Sequence, residues 1–254
     1  MKKYLIIVIL FITMTSFIPL KKKWIKTKKE NIVLFTRPDN YTNYTSPNSE
    51  TINECLNEGI ACVKEINEKL GVNFDSDIKV YLYNYDEAKE QIGTNAGGGA
   101  IPTKRIVLYT YTEEHNYDKK RNRTRYIGVH EYVHIVSFNE LGISKTRLFT
   151  EGYATAIDGS YGGKEIEQRL NQNKMKTPSE LLDSEDMFEG DFYPQSGFFI
   201  KWLFNEYSIE KANKLFVMTK DEIKSEFEKI TGEKYSLMEK KYSDYCDKYF
   251  ANNK

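Results

Sequence analysis

The spacing of apolar residues changes along the chain, and each change predicts a different element. Residues 4–20 (YLIIVILFITMTSFIPL) form an uncharged, mostly apolar run without a polar face. Between Thr51 and Leu70, apolar residues recur at helical spacing. The segments 78–85 (IKVYLYNY) and 105–111 (RIVLYTY) alternate in the manner of strands. Beyond Lys120 the spacing is helical to the end, so the chain is predicted to have an α+β fold, a small sheet followed by a helical lobe.

The same pattern divides the chain into three parts. We expect a signal peptide or membrane anchor at 1–30, a polar linker at 31–50 and a folded domain at 51–254. The apolar run is not followed by a small-x-small cleavage site, so a removed signal and a retained anchor both stay open. Six Lys between residues 21 and 29 favour a cytoplasmic location by the positive-inside rule. We nevertheless expect export to a bacterial cell envelope or the medium, since the segment is similar to bacterial signal-anchor sequences.

The charge distribution argues against a nucleic-acid partner. Eight Lys and one Glu fall in residues 1–30, a net charge of +7, and residues 31–254 therefore carry −7 in a chain that is neutral overall. Binding to phosphate depends on clustered Lys and Arg, which an acidic body lacks. The cysteine count is low and odd, at Cys55, Cys62 and Cys246. We therefore expect buried free thiols rather than a disulfide framework.

The sequence HEYVH at 130–134 is the clearest chemical signal. Two histidines four residues apart lie on the same face of a helix, so both imidazoles can bind one metal ion, with Glu131 beside them. Two of the three histidines in the chain are used in this motif. Two structural histidines in a core helix are the alternative interpretation.

A catalytic zinc site needs a third protein ligand and an open position for water. His115 lies in a polar stretch that is typical of an exposed loop, which makes Glu151 in LFTEGYATAID the better candidate. Thr150 is expected to cap a new helix, Glu151 to begin it, and Gly152 to let it pack closely on a neighbour. An acidic residue favoured by the helix dipole is the alternative explanation of Glu151.

These residues resemble the gluzincin metallopeptidases, the group with His-Glu-x-x-His and a downstream Glu that includes thermolysin-like and M1-type aminopeptidase-like domains. The chain is most similar to small bacterial peptidase MA-like members. The resemblance rests on HEYVH, on FTEGYA at 149–154, on YPQSGFFIKWLFNEYS at 193–208 and on the helical segment 221–245. It implies a gluzincin catalytic domain with a sheet followed by a helical lobe.

The resemblance also implies a set of roles. Zn²⁺ is expected on His130, His134 and Glu151, with Glu131 as general base and Tyr193 as the donor to the oxyanion. Tyr153 and Tyr132 are weaker substitutes for Tyr193. Thr155 and Asp158 are candidates to orient the histidines. The strand 105–111 is expected at the sheet edge, where an extended peptide would pair with it, with the glycine run 97–99 as one wall of the cleft.

The predicted function is that of a zinc endopeptidase acting on a peptide or protein substrate, attached to the membrane through its N-terminal segment. No segment resembles the acidic amine anchor of the aminopeptidases. Two alternatives stay open: a membrane-anchored binding or assembly protein with a structural or idle zinc site, and a hydrolase of non-peptide amides or esters.

Overall fold

The computed structural model describes residues 24–38, 47–83, 98–110, 128–161, 164–184 and 191–253. The apolar run 4–20 and His115 lie outside these residues. Within them, no helix combines the length and the apolar character that crossing a bilayer requires.

A five-stranded mixed sheet forms the first part of the fold. Its strands are β1 (Ile25–Lys29), β2 (Ile32–Thr36), β3 (Ile78–Tyr83), β4 (Gly98–Ile101) and β5 (Ile106–Thr110), in the order β1-β2-β3-β5-β4. The central strands β2, β3 and β5 are parallel, whereas β1 and β4 pair antiparallel at the two sides. A second, two-stranded sheet consists of β6 (Ser160–Tyr161) and β7 (Lys164–Glu165).

Residues 25–36 differ from the expectation that they belong to an anchor and a linker. They form β1 and β2, and β2 pairs with β3 inside the sheet. Ile32, Val33 and Leu34 are between 0% and 4% exposed, so β2 is an inner strand of the sheet with a partner strand on each side. A short apolar run of this kind has no alternation that marks it as a strand, and the neighbouring lysines made it resemble a juxtamembrane segment.

Eight α-helices form most of the remaining described residues. They are α1 (Ser49–Leu70), α2 (Val129–Glu140), α3 (Arg147–Asp158), α4 (Pro178–Asp183), α5 (Phe192–Tyr207), α6 (Ile209–Phe216), α7 (Lys220–Thr231) and α8 (Tyr235–Asn252). Helix α1 begins where the Asn48 side chain accepts a hydrogen bond from Thr51 N and ends at Gly71, whose φ of 65° suits glycine. Both α1 and α2 pack on the sheet. The predicted mixed α+β fold, with a small sheet and a helical part, is confirmed.

Helices α3 and α5 cross at glycines. A Cβ on Gly152 would lie 2.7 Å from Ile200 Cγ1, and one on Gly197 would lie 2.6 Å from Thr155 Cγ2. Each helix therefore presents a glycine to the other, and the backbones approach more closely than side chains would allow. The expectation that Gly152 permits close packing is confirmed.

The three cysteines are free and buried, as predicted. Burial raises the pKa of Cys55 to about 12 and that of Cys246 to about 11, with nearby carboxylates adding to the effect. Thiolate is therefore scarce at these positions near neutral pH.

Candidate metal centre

Helix α2 holds the two histidines of the motif away from the core. Its buried residues are Val129, Tyr132, Val133, Ile135, Val136 and Ser137. His130 and His134 occupy the other side, with side chains 22% and 12% exposed. Their rings lie edge to face with centroids 4.9 Å apart. The one-turn spacing therefore places both imidazoles at one partly accessible position.

The start of α2 is fixed by a tyrosine from the sheet. The hydroxyl of Tyr109, on β5, donates a hydrogen bond of 2.5 Å to the carbonyl oxygen of Gly128, the N-cap residue. Gly98 on β4 makes room for this ring, because a Cβ there would lie 2.9 Å from two of its atoms. This anchor, two residues before His130, had no sequence signal beyond the alternation of β5.

Glu151 completes the group from α3. Its Oε2 lies 3.3 Å from His130 Nε2 and 3.5 Å from His134 Nε2. One possible ligand atom from each of the three residues lies within 4.8 Å of the others. Tetrahedral coordination with bonds of about 2.1 Å places ligand atoms about 3.4 Å apart. The two separations from Glu151 match that value, and the three ligand atoms lie close enough together for the group to hold a metal ion.

The helix that carries Glu151 begins earlier than expected. Thr146, rather than Thr150, is the N-cap, and its side chain accepts a hydrogen bond from Phe149 N. Thr150 lies inside the helix, where its hydroxyl donates to Thr146 O. Both threonines suit a cap, and Thr146 prevails because the following turn, with Leu148 and Phe149, buries apolar side chains. Glu151 therefore lies in the second turn of α3. The packing of Gly152 against α5 fixes its position along the contact between the two helices.

No protein-family model matches the chain, and no curated protein matches it. The description of the site therefore depends on its own geometry.

Electrostatic interactions couple Glu151 to the neighbouring histidines. Burial by itself raises the pKa of Glu151, but hydrogen bonds with His130 and His134 outweigh it and hold that pKa far below its usual range. Burial likewise lowers the pKa of His130, yet the hydrogen bond with Glu151 and the negative charges of Glu131, Glu151 and Asp158 raise it overall. The site thus attracts positive charge, which a cation would supply.

Glu131 and Tyr193 both lie beside this group. Glu131 is half-buried, makes no hydrogen bond or ion pair within the described chain, and is close enough to influence the pKa of His130. Tyr193, in the first turn of α5, is half-buried, with its ring centroid 6.2 Å from that of His130. The structure therefore brings all five predicted site residues together.

The weaker candidates for the oxyanion donor lie in the core. Tyr132 and Tyr153 are both 0% exposed. The Tyr132 hydroxyl points toward Gly59 of α1, and the Tyr153 hydroxyl donates to Asn213 Oδ1 at 3.3 Å. Neither reaches a bound substrate, so these two assignments are wrong.

Thr155 does not orient a histidine. It is fully buried, and its hydroxyl has no hydrogen-bond partner. Its side chain instead packs where Gly197 crosses α3. Asp158 accepts a hydrogen bond from Ser160 Oγ at 2.8 Å, and its charge acts on His130 at longer range.

The strand at the sheet edge also differs from the prediction. The predicted edge, β5, lies between β3 and β4, and the described strand outside it is β4, which contains Gly98 and Gly99. Pairing of distant strands decides which one lies outermost, and residue alternation does not report it. Gly98 and Gly99 therefore begin the strand that lies beside the motif helix α2.

Proposed function

We propose that this protein is a zinc-dependent endopeptidase of the gluzincin type. The observation that carries the proposal is the convergence of His130, His134 and Glu151, whose possible ligand atoms lie within 4.8 Å of one another in a partly exposed site. Two imidazoles and one carboxylate are a common ligand set of catalytic zinc in hydrolases. A structural zinc site would use four protein ligands and be closed to water.

Each catalytic role has a candidate residue next to the ligands. When bound, zinc would lower the pKa of a water molecule and polarise the carbonyl group of the substrate. Glu131 would accept the proton of the attacking water and later transfer it to the leaving amine. Its carboxylate is available for this task because it has no hydrogen-bond or ion-pair partner among the described residues.

Tyr193 would donate a hydrogen bond to the oxyanion of the tetrahedral intermediate. The position of its ring beside His130, in the first turn of α5, supports this role. Replacement by Phe should lower kcat by about 10²–10³-fold, the usual cost of one oxyanion donor, with little change in KM. Equal losses in kcat and in substrate affinity would instead indicate a packing role.

The substrate is proposed to be an extended peptide. Strand β4 pairs only on its β5 side within the described residues, so its other side is suited to main-chain pairing with a peptide. Gly99, where a Cβ would meet no atom within 4 Å, leaves the backbone of this strand accessible for a close approach. An endopeptidase is favoured because the sequence offers no recognised group for a substrate amino terminus.

We also propose that the apolar run 4–20 directs export or anchors the chain in a membrane. Its length and lack of charge support this role. Expression of the full chain in a bacterium, followed by fractionation and amino-terminal sequencing, tests it. A processed or membrane-bound product supports the proposal, whereas an intact protein in the cytosolic fraction contradicts it.

The decisive test of the enzyme proposal combines metal analysis with a peptide-library cleavage assay. We expect one zinc per chain in the wild type, much less in Glu151→Ala, and no loss in the control Glu140→Ala, at an exposed position on α2. Glu131→Gln should retain zinc and lose cleavage. Bound zinc without hydrolysis of peptides by the wild type would favour an idle site in a binding or assembly protein. Cleavage restricted to non-peptide amides or esters would change the substrate class.

A further inference from the structure

The five-stranded sheet has one face that the helices of the core do not use. Helices α1 and α2 pack on the face that carries Leu34, Val80 and Val107. The residues that alternate with these form what we call the outer face, in two cross-strand rows: Lys26, Phe35, Tyr81, Leu108 and Gly99, and next to them Lys28, Val33, Lys79, Ile106 and Ile101.

The outer face combines exposed lysines with partly exposed apolar side chains, and two further apolar residues between them, Val33 and Ile106, are each only 4% exposed. Phe35 and Tyr81 stack with ring centroids 4.4 Å apart, and both are only partly buried, as is Leu108. Lys26 and Lys79 are exposed. Neither row contains an acidic residue. Such a surface suits a partner that has negative charges at its own surface and an apolar layer just beneath them.

The basic character extends along one end of the sheet. Lys104 and Arg105 follow β4 and are exposed. No ion pair is found for these two residues, for Lys26 or for Lys79 within the described part of the chain, whereas Lys28 pairs with Asp77 at 2.7 Å. This cluster stands out because residues 31–254 carry a net charge of −7.

The position of the apolar run relative to β1 identifies the partner. Residue 20 ends the run and Ile25 begins β1, so a fully extended connection spans at most about 18 Å. Lys21, Lys22 and Lys23 lie within it, and Trp24 packs edge-on against Tyr81 with centroids 5.1 Å apart. Basic residues next to an apolar segment bind anionic lipid headgroups, and tryptophan prefers the membrane interface.

We propose that the outer face lies against the surface of an anionic phospholipid bilayer into which residues 4–20 insert. Lys26, Lys79, Lys104 and Arg105 contact the headgroups, and Phe35, Tyr81 and Leu108 contact the layer just beneath them. The helices that carry the candidate metal centre lie on the other side of the sheet. The site is therefore held away from the lipid, open to substrates from the aqueous side. This inference rests on the proposed anchoring role of residues 4–20 and is independent of the proposed peptidase activity.

The test uses the full chain, reconstituted into vesicles, with a fluorophore on Lys79→Cys. A second protein carries the label on Lys248→Cys, at an exposed position on α8 in the helical part. The native cysteines are buried, so labelling is selective. Lipids with a nitroxide on the headgroup quench only labels close to the membrane surface. We expect quenching at residue 79 in vesicles that contain phosphatidylglycerol, and little at residue 248.

Charge-removing variants and salt separate docking of this face from insertion of the anchor alone. Each basic residue removed should lower the ratio of docked to undocked protein about fivefold, so Lys26→Gln with Lys104→Gln should lower it about 25-fold. The matched control Lys248→Gln removes an exposed, unpaired lysine and should change nothing. At 1 M salt, where the screening length falls to about 3 Å, quenching at residue 79 should decrease.

Three results would overturn the proposal. The first is an unquenched label at residue 79 in anionic vesicles, and the second is equal quenching in purely neutral ones. The third is a label at residue 79 that iodide in solution cannot reach without vesicles, because another part of the chain or a second copy would then cover the outer face.

Discussion

Replacement of Gly152 by Ala tests whether the crossing of α3 and α5 sets the position of the candidate metal ligand Glu151. The new Cβ would lie 2.7 Å from Ile200 Cγ1 and 3.1 Å from the backbone oxygen of Ser196. The isoleucine side chain can rotate only within a filled core, since Ile200 is 0% exposed. The backbone oxygen moves only if α5 moves. The substitution therefore pushes the two helices apart by up to about 1 Å, given normal carbon contacts of about 3.5–4.0 Å.

Two opposing effects set the expected change in the free energy of unfolding. Alanine stabilises a helix relative to glycine by about 1 kcal/mol. Overpacking of a filled core costs about 1–3 kcal/mol. The net effect is a loss of up to about 2 kcal/mol, and a loss of 1 kcal/mol would lower Tm by about 2–4 °C in a protein of this size. Because Glu151 precedes the displaced residue, metal affinity should also fall, by about 10–100-fold, as for other changes that disturb ligand orientation.

Calorimetry of the metal-free protein and zinc titration measure the two effects separately. The matched control is Gly99→Ala, where a Cβ meets no atom within 4 Å, and neither quantity should fall. A Gly152→Ala protein that is more stable than the wild type and binds zinc equally well would refute the reasoning, because helix propensity alone would then explain the result.

Three further changes test the surroundings of the site. Tyr132→Phe removes a buried hydroxyl without a hydrogen-bond partner, so the free energy of unfolding should stay the same or rise by about 1 kcal/mol, and a clear loss in urea denaturation would reveal a hidden partner. Tyr109→Phe removes the hydrogen bond to the Gly128 carbonyl and should cost about 0.5–1.5 kcal/mol in the same assay, with peptide cleavage reduced more than zinc content. Glu222 caps α7 with Thr219, and the backbone hydrogen bond lowers its pKa. The resulting stability is present above the unfolded pKa and is lost as the pH falls through the lower folded pKa, so Tm on acidification should decrease less in Glu222→Gln than in the wild type.

The ligands of the candidate site could be predicted because their signals are local. A spacing of four residues on a helix fixes the relative direction of His130 and His134 wherever the helix lies. Glu151 was identified from its neighbours Thr150 and Gly152, although the helix begins at Thr146. The prediction of the ligand survived an error in the helix boundary, because the close packing of Gly152 determines where Glu151 lies.

The sheet could be predicted only in part, because strand order depends on pairing between distant segments. The alternation in β3 and β5 was visible, but nothing in it indicates that β4 lies outside β5. Strand β4 contains Gly98 and Gly99, residues with low strand propensity, so its sequence does not indicate a strand. Strands β1 and β2 were hidden for another reason: their lysines and short apolar run also fit the flank of a membrane segment.

Strand β1 was not indicated by the sequence pattern, and the packing of the core does not explain why its outer-face residues are lysines. A sheet edge that only completes the fold has no need of exposed lysines next to partly exposed aromatic rings, and such a surface favours unwanted association between copies of the chain. Lys26 in β1 lies beside Phe35, and Phe35 stacks on Tyr81. If the lysines served only to keep a bare edge soluble, quenching at residue 79 would be the same in neutral and anionic vesicles. If they bind headgroups, the same residues that close the fold also set the orientation of the candidate metal centre above the membrane.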